Sequence, residues 1–416
     1  MNIKKSLVLL AAFGCVGTLM VTSLAQQSAA KVTVAFDANW RSALEPLITE
    51  FNTSSKTAQI EVLWGGDQAK LIAAQRAPDI IGTGDLYVET QKDLLTDLTP
   101  LVAKAGIDLN YADFFPQMLA PLKFKGKLLA LPFRFNVGLL YYNKDLFDAA
   151  SLKYPTKTWM QKDYLAAAQK LTKADNGRAT QWGASTTLGW WGEWLIHVRQ
   201  SGGDIMKGNA VTLNSPQAIA GLQFFFDKTS NGKYKIAPGP KDDNLGGFAG
   251  GKTGMEYGGH TGTWPGLNAV KSLNWDIQVL PRGSKQQKGA EFALEGYGVS
   301  SSSKNPEAAW EALKFITSRK FVNEAFSKLG LPPSRRSVMD DALAVPREKR
   351  SSPKNLEALF DGIKTGMTLP RNKDFVNMAI QVVQPEIDKM LEGKQSPEDT
   401  ARIAAEKATK YLASVK

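Results

Sequence analysis

Cysteine is all but absent from this chain, and histidine is nearly so. The one cysteine, Cys15, sits in an apolar N-terminal stretch, so the rest of the chain has no disulfide, thiolate metal site or thiol nucleophile. The two histidines, His197 and His260, do not form the helical-spaced pair that a zinc site uses. Oxygen-rich calcium loops are missing as well. Beyond the N-terminus no apolar run is long enough to cross a bilayer. Acidic residues are outnumbered, 40 against 51 basic ones, for a net charge of +11. That excess is dispersed. Its densest part, Arg335-Arg336 with Arg347-Glu348-Lys349-Arg350, is short, contains an acid and has no nucleic-acid-binding motif beside it. A solvated face is expected there, with no nucleic-acid partner.

The 416 residues, 43% hydrophobic and 22% charged, are ordinary for a soluble protein of two or three compact units. The N-terminus stands apart. Lys4 and Lys5 precede an apolar stretch, Leu7 to Leu24, and then small residues, with cleavage sites at Ser23-Leu24-Ala25 and Ala29-Ala30. This reads as a secretory signal peptide over residues 1–25. The alternative is an uncleaved membrane anchor. Cys15 lies inside the stretch after Ala12-Phe13-Gly14, not at its end, which argues against lipid attachment.

The next segment reads strand–helix–strand–helix–strand. Val32, Val34 and Phe36 alternate, Leu44, Leu47, Ile48 and Phe51 recur at helical spacing, and Ile60, Val62 and Trp64 alternate again. Leu71-Ile72 falls in a short helix and Ala77–Ile81 gives a third strand. Such alternation implies a parallel α/β sheet, with ligands bound past the carboxyl ends of its strands. Those ends carry Asp37–Trp40, Trp64–Asp67 and Thr83–Asp85. Asn214-Ser215-Pro216, Asn305-Pro306-Glu307 and Ser396-Pro397-Glu398 each mark a helix start.

Leu131–Phe147, LPFRFNVGLLYYNKDLF, is the most informative block. It resembles the inter-lobe crossover of extracellular solute-binding proteins of bacterial ABC sugar importers, the maltose-binding-protein-like cluster. Ala77–Ile80, Gly250–Met255, Trp264, Pro281-Arg282-Gly283, Gly296–Ser303 with Asn305–Ile316, and Gly330–Arg335 are similar to further family segments, in family order. Gly254 and the enlarged loop Gly258-Gly259-His260 depart from the pattern. The resemblance implies two α/β lobes, each a mainly parallel sheet flanked by helices, joined by three crossovers. It places residues 31–136 and 297–336 in the N-terminal lobe, and 137–296 and 337–416 in the C-terminal lobe. It further implies a monomeric periplasmic protein, without cofactor, that hands a carbohydrate to the permease subunits of an ABC importer.

The ten tryptophans fit that reading, since flat aromatics cover the apolar face of a sugar and acids, Arg and Asn satisfy its hydroxyl rim. The cleft set expected is Trp40, Trp64, Asp67 and Asp85 from the first lobe and Arg134 and Asn136 from the crossover. Trp190, Trp191, Glu193, His260, Trp264 and Tyr297 close the other side, with Glu295 and Arg335 at the later crossovers. Each loop tryptophan has plain packing as its alternative, and His260 a local backbone role. His197 is expected to be structural.

Two other functions stay open. One is an anionic ligand, such as glycerol phosphate or its diesters, held by Arg134, Arg335 and His260. The other is a periplasmic carbohydrate-active enzyme using a carboxylate pair from Glu193, Glu256 and Glu295. Gly246–Thr253 matches the nucleotide-binding pattern G-x-x-x-x-G-K-T, but polar loop precedes it and a glycine-rich stretch follows, where a strand and a helix are required. Lys252-Thr253-Gly254 and Ser301–Lys304 match short motifs of penicillin-binding enzymes in reversed order.

Overall fold

The computed structural model describes residues 29–286 and 288–415, so the expected signal peptide and Cys15 lie outside the described residues. Among these residues nine strands build one curled sheet. They are β1 (Ala30–Phe36), β2 (Ala58–Trp64), β3 (Ile80–Gly84), β4 (Leu131–Asn143), β5 (Lys173–Asp175), β6 (Arg178–Ala184), β7 (Thr253–His260), β8 (Trp275–Gln278) and β9 (Phe292–Val299). The order across the sheet is β2-β1-β3-β9-β4-β7-β6-β5, with β8 also paired to β4.

The opening βαβ segment forms as its pattern predicts. Val32, Val34 and Phe36 are buried on one face of β1, and helix Arg41–Ser54 turns Leu44, Leu47 and Ile48 inward. β1 pairs in parallel with both β2 and β3. The third strand starts at Ile80, not Ala77. Pro78 has no N–H to offer a ladder. The Asp79 carboxylate instead accepts Thr33 N at 3.0 Å and Thr33 Oγ1 at 2.8 Å.

β4 joins the two halves of the sheet. Residues 131–137 pair with β9, and Gly138–Tyr142 pair with β7. Leu140–Asn143 also pair with β8 on the opposite edge. All of its residues but Arg134 are buried. Leu331–Ser337 runs beside its first half, where Phe135 N donates to Pro332 O at 3.2 Å and Ser334 Oγ to Pro132 O at 2.9 Å. One apolar core follows β4 through both halves, and a second packs Trp191, Trp194 and Phe225 against helices Gln384–Leu391 and Pro397–Ser414. The P-loop look-alike is a run of turns in which Gly246, Gly247 and Gly251 have positive φ, and the strand β7 follows it in place of a helix.

Arg335 belongs to this framework and not to the cleft. It is 2% exposed, lies 4.1 Å over the Phe114 ring, and donates to the carbonyls of Thr317, Leu109 and Asn110 at 2.6, 3.0 and 3.2 Å. Five donors in a planar fork suit it to gathering carbonyls from separate segments.

β3 and β9 approach closely at Gly84, where a Cβ would lie 2.2 Å from Leu294 O. Gly84→Ala forces the two backbones apart and is expected to cost ~1–3 kcal/mol, seen as a lower Tm. An unchanged Tm would contradict this packing.

Candidate functional site

The strand-end turn after β1 supplies the first wall. Asp37 Oδ1 accepts Asn39 N at 2.8 Å, fixing the turn that presents Trp40 half-buried against Phe36 and Phe133. On β4, Arg134 and Asn136 are two residues apart and so share a face. β9 sets Glu295 directly opposite Arg134. The Arg134 guanidinium donates to both Glu295 oxygens, at 2.7 and 2.6 Å, and lies 5.4 Å from the Trp40 ring centroid. Asn136 Nδ2 donates to Glu295 Oε1 at 3.1 Å, and its Oδ1 accepts Thr261 Oγ1 at 2.9 Å. The cleft floor is thus a single hydrogen-bonded set of residues from β4, β9 and the turn after β7.

The second wall is aromatic. The Trp190 ring stands edge-on to His260 at 5.1 Å and to Trp191 at 5.7 Å. Gly192 makes room for it, since a Cβ there would meet the Trp190 ring at 2.5 Å. Trp191 is buried and donates Nε1–H to Glu291 Oε2 at 2.8 Å. His260 Nε2 is 3.8 Å from the same oxygen and is buried with no hydrogen-bond partner. Burial, with Arg134 nearby, lowers the His260 pKa to about 4, so the ring is neutral at pH 7.

Beside the floor, along the end of β3 and the start of β9, lies a hollow of about 560 Å³ lined by Gln68, Thr83, Asp85, Tyr87, Gln91 and Glu295 among others. Thr83 Oγ1 and Gln91 Oε1 are buried there with no hydrogen-bond partner. Unpaired buried polar atoms are costly. Asp85 accepts Leu294 N at 2.9 Å, and burial raises its pKa to about 6. Burial likewise raises Glu291 to about 7, against the hydrogen bond from Trp191.

Of the expected residues, the structure brings Trp40, Arg134, Asn136 and Glu295 together at the floor, Trp190, Trp191 and His260 together in the aromatic wall, and Asp85 with Tyr297 beside the hollow. Tyr297 itself is 7% exposed, its ring edge-on to Phe36 and Phe133, so it acts chiefly as packing. Four others make different contacts. Glu193 has no exposed surface and pairs with Lys228. Trp264 is 2% exposed and donates Nε1–H to Tyr141 Oη at 2.8 Å, which makes it core. Asp67 caps helix Gln68–Ala73 through Lys70 N at 3.1 Å. Trp64 packs half-buried against Phe36 at 5.9 Å.

Glu291, Thr261 and Gln91 were not among the expected residues, and Thr83 was expected only as part of a strand end. Glu291 was within reach, because period-two alternation from Glu295 and Ala293 places it on the cleft face. Thr261 and Gln91 depend on how loops fold back. The acids of the enzyme alternative do not share one hollow. Glu193 is sealed in an ion pair, Glu295 is held by Arg134, and Glu256 faces a separate hollow with Phe248 and Leu267.

The buried Glu291 predicts a pH signature. Its folded pKa of about 7 lies above the ordinary 4.5, so the protonated form favours folding. That contribution is full below pH 4.5 and is lost as pH rises through 7, amounting to ~3 kcal/mol at most. Glu291→Gln keeps an acceptor for Trp191 and removes the titration. It should be more stable than wild type at pH 8, with the advantage vanishing near pH 4.5. Equal differences in Tm at both pH values would contradict the assignment.

Comparisons with known proteins agree with this architecture. Residues 47–348 match the family model described as bacterial extracellular solute-binding protein. An ABC substrate-binding protein of Listeria monocytogenes, solved in complex with cycloalternan, superposes with a TM-score of 0.78 at 24% identity, covering 93% of this chain and 100% of that one. UgpB of Mycobacterium tuberculosis, solved with glycerophosphocholine, gives a TM-score of 0.76 at 18% identity, over 93% and 99% of the two chains. In sequence, the sn-glycerol-3-phosphate-binding periplasmic protein UgpB of Escherichia coli (strain K12) is 22% identical over 415 residues, 94% of this chain and 89% of the relative. A two-lobed α/β fold threaded by β4, a cleft at the strand ends and a family model spanning most of the sequence lead to one conclusion: this chain belongs to the bacterial extracellular solute-binding proteins.

Proposed function

We propose that the cleft captures a neutral carbohydrate and that the protein delivers it to the membrane permease of an ABC importer. The observation that carries this is the floor: an arginine already neutralised by a bidentate glutamate, under a tryptophan face. A bound anion would find Arg134 already paired and Glu295, Glu291 and Asp85 close by. The anionic alternative also loses its other two cations, since Arg335 is committed to backbone carbonyls and His260 is held neutral by burial. A sugar fits better. Its hydroxyls pair with the carboxylates and Asn136, and its apolar face meets Trp40 or Trp190.

In this reading the lobes are residues 31–136 with 297–336 and residues 137–296 with 337–416, hinged at the three crossovers. Closure requires contacts made better in the closed state than in the open one, about 5.5 kcal/mol to go from mostly open to mostly closed. Leu86, from the loop after β3, packs against the second apolar core and supplies part of such a contact. We further propose a cleaved leader, a periplasmic monomer, no cofactor, no nucleic-acid partner and no catalytic turnover. No helix of the described residues is long and apolar enough to cross a membrane.

A thermal-shift screen with glucose, maltose, maltotriose and sn-glycerol 3-phosphate at millimolar concentration tests the ligand class, because bound ligand raises Tm by mass action. A shift with a sugar and none with the phosphate ester is expected; the reverse would overturn the reading. With the best sugar, Arg134→Ala should weaken binding by about 10–100-fold by freeing the Glu295 carboxylate, and Trp40→Ala by about tenfold through lost stacking. Calorimetric affinities equal to wild type would remove both residues from the site. Sugar recovered unchanged after incubation is expected; released shorter products would show an enzyme.

A further inference from the structure

The loop bearing Trp190 and Trp191 is held at Trp191 by Glu291 and at Ser185 N by Met255 O. It leaves β6 at Ala184, passes the exposed Leu188 and the left-handed Gly189, and reaches helix Trp194–Gln200. A further restraint comes from below. Lys228, the last residue of helix Pro216–Lys228, has no exposed surface. Its ammonium donates to Ser185 O at 2.5 Å and to the Glu193 carboxylate. Glu193 Oε2 in turn accepts Thr187 N at 2.9 Å, and its other oxygen lies 3.5 Å from His197 Nε2. One buried charge pair therefore ties the first, third and last residues of the Ser185–Glu193 loop together. Burial opposes an ionised Glu193, yet Lys228 and His197 outweigh it and hold the carboxyl below its ordinary pKa.

Such a pair is a weak device for stability, because the desolvation of both charges offsets their attraction. Apolar side chains would pack the same space. What the pair supplies is geometry, with Trp190 above it held edge-on to His260 and over Gly192. We propose that Lys228, acting through Glu193, is a positioning residue that sets the Trp190 platform and so the affinity and selectivity of the cleft. The platform's sugar contact rests on the function proposed above; the clamp itself does not.

The test uses the full chain and the double variant Lys228→Met/Glu193→Gln, which removes both charges together. Lys228→Met alone leaves a buried unpaired carboxylate and is expected to lose stability, whereas the double variant should recover a Tm near wild type. Amide hydrogen exchange in the Ser185–Glu193 segment is read first, without ligand. Exchange at least tenfold faster in the double variant, with helix Pro216–Lys228 unchanged, supports the clamp; exchange equal to wild type overturns it. Calorimetry with the best sugar of the screen follows. At least tenfold weaker binding at native Tm supports the positioning role, and wild-type affinity overturns it. If no sugar binds the wild-type protein, the functional reading fails while the exchange comparison still decides the clamp.

Discussion

One strand pairs with both halves of the molecule, and the rest of the structure depends on it. β4 cannot shift register without moving β7, β8 and β9 together, because its two edges and both its ends are occupied. A slip of one residue would also carry Arg134, the one residue that is not buried, to the opposite face. This constraint fixes Arg134 and Asn136 between the halves of the sheet, on the one stretch that belongs to both. The cleft floor is therefore built on the most rigid element available, while the walls come from loops.

The electrostatics follow from that placement. Arg134 is partly buried and would be costly unpaired, so β9 brings Glu295 to it in register. The pair leaves a floor of low net charge with oriented donors and acceptors. Around it, burial keeps Asp85 and Glu291 near the point of protonation and His260 neutral. Groups of this kind donate and accept hydrogen bonds without imposing a strong charge, which suits hydroxyl recognition and not the capture of a phosphate.

Much of this was legible in the sequence, for definite reasons. Alternation in β1 and helical spacing in Arg41–Ser54 report burial directly, so the opening βαβ segment was readable. The β4 block was informative because its apolar run, with Pro132 at its start and Gly138 within it, marks a strand buried on both faces. The tryptophans were less tractable. Trp40, Trp190 and Trp264 all follow turns or loops, yet Trp264 is sealed by a hydrogen bond to Tyr141 while Trp190 stays half-exposed. Nothing local separates them, since what seals Trp264 is a side chain 123 residues away in the sequence. Glu193 misled for a similar reason. Its position beside two tryptophans suggested the cleft, but its partner Lys228 comes from a helix that sequence proximity does not reveal.

Native mass spectrometry of the protein released gently from its own cells tests the central claim most directly, because it weighs whatever the cleft carries. A bound species of neutral saccharide mass, lost on unfolding and absent from Arg134→Ala, is the result predicted. A bound phosphate ester, with the sugar panel leaving the protein unliganded, would contradict it.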